Sequence, residues 1–169
     1  LAALVAFLDI LKGSLAVLFA GLMMGNDYFI IGSYSVGILA AQGVGALAAI
    51  AGHNCSIFLG FHGGRGVATF FGGLIALYPV AGAFGGEVLI VVAGLSGFAS
   101  LGSIAGAVGA YAMMIPLAIL HGFPMEYLIY TLIGTIIIII THRGNIGRLI
   151  SGTERRLGRK AKIPSLPRP

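Results

Sequence analysis

The chain has 169 residues, of which 58% are hydrophobic and only 9% are charged, and its mean hydropathy is +1.03. Soluble domains carry about 25% charged residues, so a globule of this length would lack the charges needed to cover its surface. The composition therefore excludes an ordinary soluble domain and indicates an all-α, polytopic integral membrane protein. The single cysteine, Cys55, also excludes an internal disulfide and an all-cysteine metal site.

The formal net charge of +5 comes mainly from the C-terminal end, because eight of the ten Lys and Arg residues lie from Arg143 onward. This distribution is typical of the positive-inside rule rather than of a nucleic-acid-binding surface, and we expect no nucleic-acid partner. We divide the chain into a membrane-embedded domain, residues 1–159, and a basic, proline-rich cytoplasmic tail, residues 160–169. The first residue is Leu1, inside an apolar run, so we expect the N-terminus to be truncated.

Six apolar stretches predict a helical bundle with six membrane crossings in this chain. In order, they are Leu1–Met24, Tyr28–Ala51, Val67–Ala83, Val88–Ala99, Leu101–Leu120 and Pro124–Ile140.

The distribution of charge supports that count. Arg65, with His53 and His62, indicates a cytoplasmic loop, and the basic tail from Arg143 is cytoplasmic as well. Only an even number of crossings can connect them. Two would need roughly 35 residues each, which is too long for a bilayer of about 30 Å, so four are predicted. The count places turns at Asn26-Asp27, Gly85–Glu87 and His121–Glu126 outside, and a turn at Ser100–Ser103 inside.

The densest polar segment is Gly63-Gly64-Arg65-Gly66, which opens directly into an apolar stretch and follows Gly52-His53. Glycines let the backbone approach a ligand closely, and the N–H groups of a following helix are free to bind an anion. Arg65 adds a permanently charged, bidentate donor. The pattern indicates a phosphate site that is not a Walker A loop, although a flexible positive-inside loop explains it as well.

A second polar cluster begins after the last apolar stretch, with His142, Arg143, Asn145 and Arg148. A continuing helix would place the first, third and fourth of these on one face. The alternative is the ordinary basic flank of a final crossing. Glu154 is the only acidic residue of this region, and we expect it to pair locally with Arg155, Arg156 or the cluster above.

Asp9 and Lys12 lie three residues apart in an otherwise apolar helix. Charges inside a membrane are costly and are usually functional. The two residues also neutralise each other on one face, so a structural ion pair near the cytoplasmic boundary is the alternative.

Three segments together resemble the bacterial glycerol-3-phosphate acyltransferases of the PlsY type. They are Leu8-Asp9-Ile10-Leu11-Lys12-Gly13, Gly52-His53 through Gly63-Gly64-Arg65-Gly66-Val67-Ala68-Thr69, and His142-Arg143-Gly144-Asn145-Ile146-Gly147-Arg148-Leu149 with Gly152 and Glu154. The resemblance covers essentially the whole chain. It implies seven crossings in a complete chain, in the bacterial cytoplasmic (inner) membrane, with an active site facing the cytoplasm.

The resemblance also implies a reaction. Members of that family transfer a fatty acyl group from acyl-phosphate to the 1-hydroxyl of sn-glycerol 3-phosphate, giving lysophosphatidic acid and phosphate, the first acylation step of phospholipid synthesis. No cofactor or metal is implied, and a functional link to the enzyme that makes acyl-phosphate is expected.

Carried over by position, the resemblance assigns three sets of residues. The expected catalytic residues are His142, Asn145 and Arg65. The expected phosphate-binding residues are Gly63, Gly64, Arg65, Gly66, Ser103, His53 and Lys12, whereas Asp9 and Glu154 are expected to be structural.

Three other functions stay open at this point. A small transporter or channel for an anionic solute would carry polar or broken helices at the bilayer midplane, whereas these clusters lie at one predicted face. A non-catalytic scaffold would tolerate alanine in the polar clusters. An acyltransferase that uses acyl-CoA or acyl-carrier protein as the donor would have the same sequence features.

Overall fold

The fold is a bundle of helices with one short hairpin. A computed structural model of the chain describes residues 2–31, 34–57 and 60–158. The elements in chain order are α1 (Ala2–Met24), β1 (Phe29–Ile31), β2 (Tyr34–Val36), α2 (Ile38–Asn54), α3 (Val67–Leu77), α4 (Pro79–Ser96), α5 (Ala99–His121), α6 (Met125–Thr141) and α7 (Arg143–Ile150). The two strands pair antiparallel, with Phe29 opposite Val36. The basic tail, residues 160–169, lies outside the described residues.

Among the described residues, three helices are long and apolar enough to cross a bilayer. They are Ala3–Met24 in α1, the whole of α4 and the whole of α5. Helices α6 and α7 form a fourth candidate if they are one span bent by 59°. Helix α2 has 17 residues and α3 has 11, which correspond to about 26 Å and about 17 Å of helix, less than the ~30 Å apolar core of a bilayer. The described residues thus confirm a helical membrane protein, but they do not confirm six full crossings.

Three predicted boundaries are wrong, and two of them lie before α5. The stretch Tyr28–Ala51 is not one helix, because the hairpin occupies its first part and α2 begins only at Ile38. The turn expected at Gly85–Glu87 lies inside α4, and the chain breaks instead at Tyr78. Pro79 is the first residue of α4, a position where the missing N–H of proline costs no helical hydrogen bond. The other two turns expected outside are present, with loops at residues 25–28 and 122–124.

The glycines that suggested a turn in α4 allow it to pack closely against α5. A Cβ at Gly85 would lie 2.8 Å from the Cβ of Ala110, and one at Gly106 would lie 2.6 Å from the carbonyl oxygen of Gly85. Small residues permit this approach between membrane helices, where no hydrophobic driving force brings them together.

The core around α3 supports the polar loop that precedes it. Phe70 and Tyr130 are buried, and their rings stack with centroids 5.6 Å apart. The Tyr130 hydroxyl donates to the carbonyl of Phe70 at 2.8 Å. Helix α1 crosses α3 at Gly13 and Gly72, where a Cβ on either glycine would meet the backbone of the other helix. Ser14 donates to the carbonyl of Gly72 at 2.8 Å. The start of α3 is therefore held between α1 and α6.

Candidate active site

Gly66 connects the polar loop to α3 in a backbone conformation that favours glycine. Its φ of 73° and ψ of 6° are left-handed, and it is the N-terminal cap of α3. A Cβ at this position would lie 2.7 Å from Oδ1 of Asn54 and 2.9 Å from Cγ2 of Ile50. Both the backbone angle and the space therefore require glycine here.

Gly63 and Gly64 lie directly on the end of α2. The N–H of Gly64 donates to the carbonyl of His53 at 3.3 Å. A Cβ at Gly63 would meet the carbonyls of His53 and Asn54, and a Cβ at Gly64 would meet Nε2 of the His53 ring. The close approach that the glycines permit is thus between the loop and α2, which fixes the loop in place.

One side of this loop faces an arginine-rich pocket of about 480 Å³. Arg65 from the loop and Arg143 and Arg148 from α7 line it together with Asn145. The hydroxyl of Thr141, at the end of α6, lies 3.3 Å from the carbonyl of Arg65. The loop and the second polar cluster therefore form one cationic site, which we call the arginine pocket.

Helix α6 does not continue through the second polar cluster. The chain bends by 59° between α6 and α7, so α6 does not run straight on through His142, Asn145 and Arg148, and the condition for placing all three on one face is not met. Helix α7 contains Arg143, Asn145 and Arg148, and the bend turns it away from the axis of the apolar helix α6. His142 is 1% exposed at this bend, and its Nδ1 lies 2.8 Å from the carbonyl oxygen of Ile138. Asn145 thus reaches the arginine pocket, whereas His142 does not line it.

Glu154 fastens α7 to the start of α5. Its Oε1 accepts hydrogen bonds from Asn145 at 2.6 Å and from Ser100 at 2.7 Å, and its Oε2 lies 2.7 Å from Nε of Arg148. The Asn145 hydrogen bond, with those of Ser100 and Arg148, lowers the pKa of Glu154 to about 2. Its side chain is only 7% exposed. The local pairing predicted for Glu154 is confirmed, and its partners in the second polar cluster are Asn145 and Arg148.

A second pocket of about 250 Å³ lies on the other side of Gly63 and Gly64, which line both pockets. It contains Lys12 and His53, two of the expected phosphate-binding residues, with Ser56. Oδ1 of Asp9 lies 3.0 Å from Nζ of Lys12 and 3.2 Å from Nδ1 of His53. The predicted Asp9–Lys12 ion pair is therefore present, and it includes a histidine from α2. We call this space the lysine pocket.

An apolar groove of about 880 Å³ runs along the outer face of α1. Leu8, Leu15 and Leu22 line it at every second turn of α1, and Ala49 of α2 contributes to one wall. Lys12 lines both this groove and the lysine pocket. An amphiphile could therefore place an anionic head at Lys12 and a hydrocarbon chain along α1.

The profile of one protein family, described as glycerol-3-phosphate acyltransferase, matches residues 1–152. The chain belongs to the glycerol-3-phosphate acyltransferase family. It is 59% identical over 161 residues to glycerol-3-phosphate acyltransferase 3 of Dehalococcoides mccartyi, covering 95% of this chain and 74% of that protein. It is 37% identical over 161 residues to the glycerol-3-phosphate acyltransferase of Thermus thermophilus, covering 95% of this chain and 73% of that protein.

Solved structures of this family have the same fold. The crystal structure of PlsY (YgiH), an integral membrane glycerol 3-phosphate acyltransferase in its glycerol 3-phosphate form, matches with a TM-score of 0.76 at 32% identity. The match covers 92% of this chain and 70% of that one. The lysophosphatidic acid form of PlsY matches equally well.

Three of the expected catalytic or phosphate-binding residues line neither pocket, namely Gly66, Ser103 and His142. Ser103 lines neither the arginine pocket nor the lysine pocket, and its hydroxyl donates to the carbonyl of Ala99 at 2.9 Å. The inner turn predicted at Ser100–Ser103 is wrong, because α5 begins at Ala99 and the turn lies just before it. A role for Ser103 in phosphate binding stays a prediction.

Two residues of the site were missed in the sequence. Ser56 lies two residues beyond the end of α2, so helical spacing does not relate it to His53, and the available signal was its place in the polar run His53-Asn54-Cys55-Ser56. Ser100 had no such signal, since its contact with Glu154 joins segments far apart in the chain.

Proposed function

We propose that this chain transfers a fatty acyl group from acyl-phosphate to the 1-hydroxyl of sn-glycerol 3-phosphate, releasing lysophosphatidic acid and phosphate. Acylation of glycerol 3-phosphate in phospholipid synthesis follows from the family. The observation that supports the full reaction is the pair of pockets on either side of Gly63 and Gly64, one lined by three arginines and the other by Lys12, Asp9 and His53. A reaction between two phosphate-bearing substrates needs two adjacent anion sites, and this arrangement provides them.

The pockets differ in the residues that adjoin them, and this difference supports a different substrate for each. The arginine pocket holds Arg65, Arg143 and Arg148 and has no apolar extension among its lining residues. It suits the small, doubly charged glycerol 3-phosphate, since guanidinium groups bind phosphate oxygens in pairs. The lysine pocket continues at Lys12 into the apolar groove. It suits the acyl-phosphate, with the acyl chain along α1.

The chemistry places few demands on acid–base groups of the protein. The 1-hydroxyl oxygen attacks the carbonyl carbon of the acyl-phosphate, an ester bond forms, and the bond between that carbon and the phosphate oxygen breaks. The departing phosphate takes the hydroxyl proton, as the family resemblance implies. The protein then contributes mainly by holding two anions together and neutralising their charge.

Arg65 and Asn145 are proposed to act in catalysis from the arginine pocket, with Gly63, Gly64 and Gly66 shaping the loop. Their location supports this, because Arg65 and Asn145 line the pocket from two different elements. His142 is proposed to support the same site from the buried bend between α6 and α7. Asp9 and Glu154 are proposed to organise the two pockets rather than to bind substrate.

The test of the reaction is product formation from defined donors. The protein, expressed from its complete reading frame, is purified and given labelled glycerol 3-phosphate with palmitoyl-phosphate, palmitoyl-CoA or palmitoyl-acyl-carrier protein. We expect labelled lysophosphatidic acid from palmitoyl-phosphate alone. Product formed only from a thioester would overturn acyl-phosphate as the proposed donor. It would also overturn the proposed link to the enzyme that makes acyl-phosphate. No product from folded protein, with flux of glycerol 3-phosphate into liposomes, would favour a transporter.

We also propose that six helices of this chain cross the bacterial inner membrane, with both pockets facing the cytoplasm. Cys55 provides the test, because it is the only cysteine of the chain, is exposed and follows α2 beside the lysine pocket. A membrane-impermeant maleimide should label it in inverted membrane vesicles but not in intact spheroplasts. The Cys55→Ser variant is the control for specific labelling. Labelling in spheroplasts would contradict the proposed orientation.

A further inference from the structure

Asp9 connects α1 to the end of α2. Its Oδ1 lies 3.2 Å from Nδ1 of His53 as well as 3.0 Å from Nζ of Lys12. We propose that Asp9 is a positioning residue of the acyltransferase site that acts through His53, beyond its role as a charge partner for Lys12. The proposal rests on the proposed function and specifies the residue through which Asp9 organises the site.

The two contacts of Asp9 differ in their surroundings. Lys12 is on the same helix, and its side chain is 50% exposed, so water competes for this pair and it contributes little. The contact with His53 joins two helices, and both side chains are only 17% exposed. A contact between a carboxylate and an imidazole that are both partly buried is the stronger constraint, because water competes with it less. Asp9 therefore has more effect on the orientation of His53 than on the charge of Lys12.

The carboxylate sets which nitrogen of His53 carries the proton. A carboxylate only accepts hydrogen bonds, so we expect a neutral His53 ring to carry its proton on Nδ1, the nitrogen that lies 3.2 Å from Oδ1 of Asp9. The neutral ring then has its free lone pair on Nε2, which faces Gly64. The hydrogen-bond partner on one ring nitrogen fixes the state of the other.

His53 in turn holds the loop that separates the two pockets. Its carbonyl accepts the N–H of Gly64 at 3.3 Å, and its ring packs where a side chain at Gly64 would be. Rotation of the ring would therefore move Gly63 and Gly64, which line both pockets. A residue of the membrane helix α1 thus determines the separation of the two anion sites.

The kinetic test is a double-mutant cycle on the complete protein with palmitoyl-phosphate and glycerol 3-phosphate. Asp9→Ala should lower kcat/KM by about tenfold, the lower end of the loss known for removing the partner that orients a metal-bound histidine. Asp9→Asn keeps an acceptor oxygen and should stay within about threefold of the unmodified protein if orientation is what matters. His53→Ala and the double variant should be equally impaired, because two residues that act as a unit do not have multiplicative effects.

Multiplicative losses in the double variant, or an Asp9→Asn variant as poor as Asp9→Ala, would overturn the proposal. Asp27→Asn is the matched control, since it removes a carboxylate from the turn between α1 and β1, and it should leave kcat/KM unchanged.

A second measurement does not depend on activity. Nitrogen-15 NMR of histidine-labelled protein in micelles at pH 8 should show the Nδ1-protonated tautomer for His53. The His53 signal is assigned by its loss in the His53→Gln variant. If that variant does not fold, the signal is assigned by exclusion, using variants of the other histidines. The Nε2-protonated tautomer in the unmodified protein would overturn the proposal. The absence of product from every donor would instead overturn the proposed function, and the tautomer would still be measured.

Discussion

Replacing Gly66 with alanine tests whether the loop between the pockets is held by backbone geometry. The left-handed φ of 73° should cost alanine about 1–2 kcal/mol. The added Cβ would lie 2.7 Å from Oδ1 of Asn54 and 2.9 Å from Cγ2 of Ile50, and overpacking of this kind costs about 1–3 kcal/mol. We therefore expect Gly66→Ala to lower the free energy of unfolding by about 2–5 kcal/mol.

Gly122 provides the matched control. It caps α5 with a φ of 63°, but no atom lies within 4 Å of a Cβ placed there. Gly122→Ala should therefore cost only the left-handed part, about 1–2 kcal/mol. Because the turn at Gly122 belongs to neither pocket, the kcat/KM of the Gly122→Ala variant should equal that of the unmodified protein.

The assay compares unfolding in detergent, followed by circular dichroism, with initial rates of glycerol 3-phosphate acylation. We expect Gly66→Ala to be less stable than Gly122→Ala and to lose at least tenfold in kcat/KM, which is about 1.4 kcal/mol of transition-state stabilisation. Equal stability of the two variants would show that the space around Gly66 is not tight. A normal kcat/KM in a destabilised Gly66→Ala would show that the loop does not position substrate.

Three further outcomes are expected. Arg65→Ala should lower kcat/KM by at least tenfold, or about 1.4 kcal/mol, mostly through the KM for glycerol 3-phosphate. Arg156→Ala is the control and should leave kcat/KM unchanged, because the Arg156 guanidinium lies 5.5 Å from the Phe98 ring centroid and outside the arginine pocket. A kcat/KM for Arg65→Ala equal to that of Arg156→Ala would remove Arg65 from the site. The pKa of Glu154 is about 2 in the folded protein against an ordinary 4.5, so its carboxylate stabilises the fold above pH 4.5 and this stabilisation is lost as the pH falls toward 2. Acid unfolding curves of Glu154→Gln should lack the loss of stability between pH 4.5 and 2. An acid transition unchanged from that of the unmodified protein would refute the low pKa of Glu154. Tyr130→Phe should lower the free energy of unfolding by about 1 kcal/mol through the lost hydrogen bond to Phe70, with kcat/KM unchanged, and a variant of normal stability would contradict that hydrogen bond.

Composition and motif order predicted the class of protein and the family because both depend on many residues at once. The helix boundaries depend on a few residues, and they were harder to predict. At Gly85 the same residue type that forms turns also permits close packing of α4 on α5, and only the partner helix distinguishes the two. The break at Tyr78 had a proline signal in Pro79, which the apolar run around it obscured.

The candidate site shows a similar division. Local spacing predicted the Asp9–Lys12 pair, since residues three apart on a helix are neighbours. The contact of Asp9 with His53 and that of Ser100 with Glu154 arise from helix packing. No pattern within one segment contains that information.

The groove along α1 has a consequence for how the enzyme encounters its lipid substrate. It is lined by leucines that face outward from the bundle, so a chain that enters it comes sideways from the bilayer rather than from water. The relevant concentration of such a substrate is its mole fraction among the lipids. Diluting the membrane with inert lipid should therefore slow the reaction at a constant total amount of donor, whereas diluting the suspension with buffer should not alter the supply of the acyl chain.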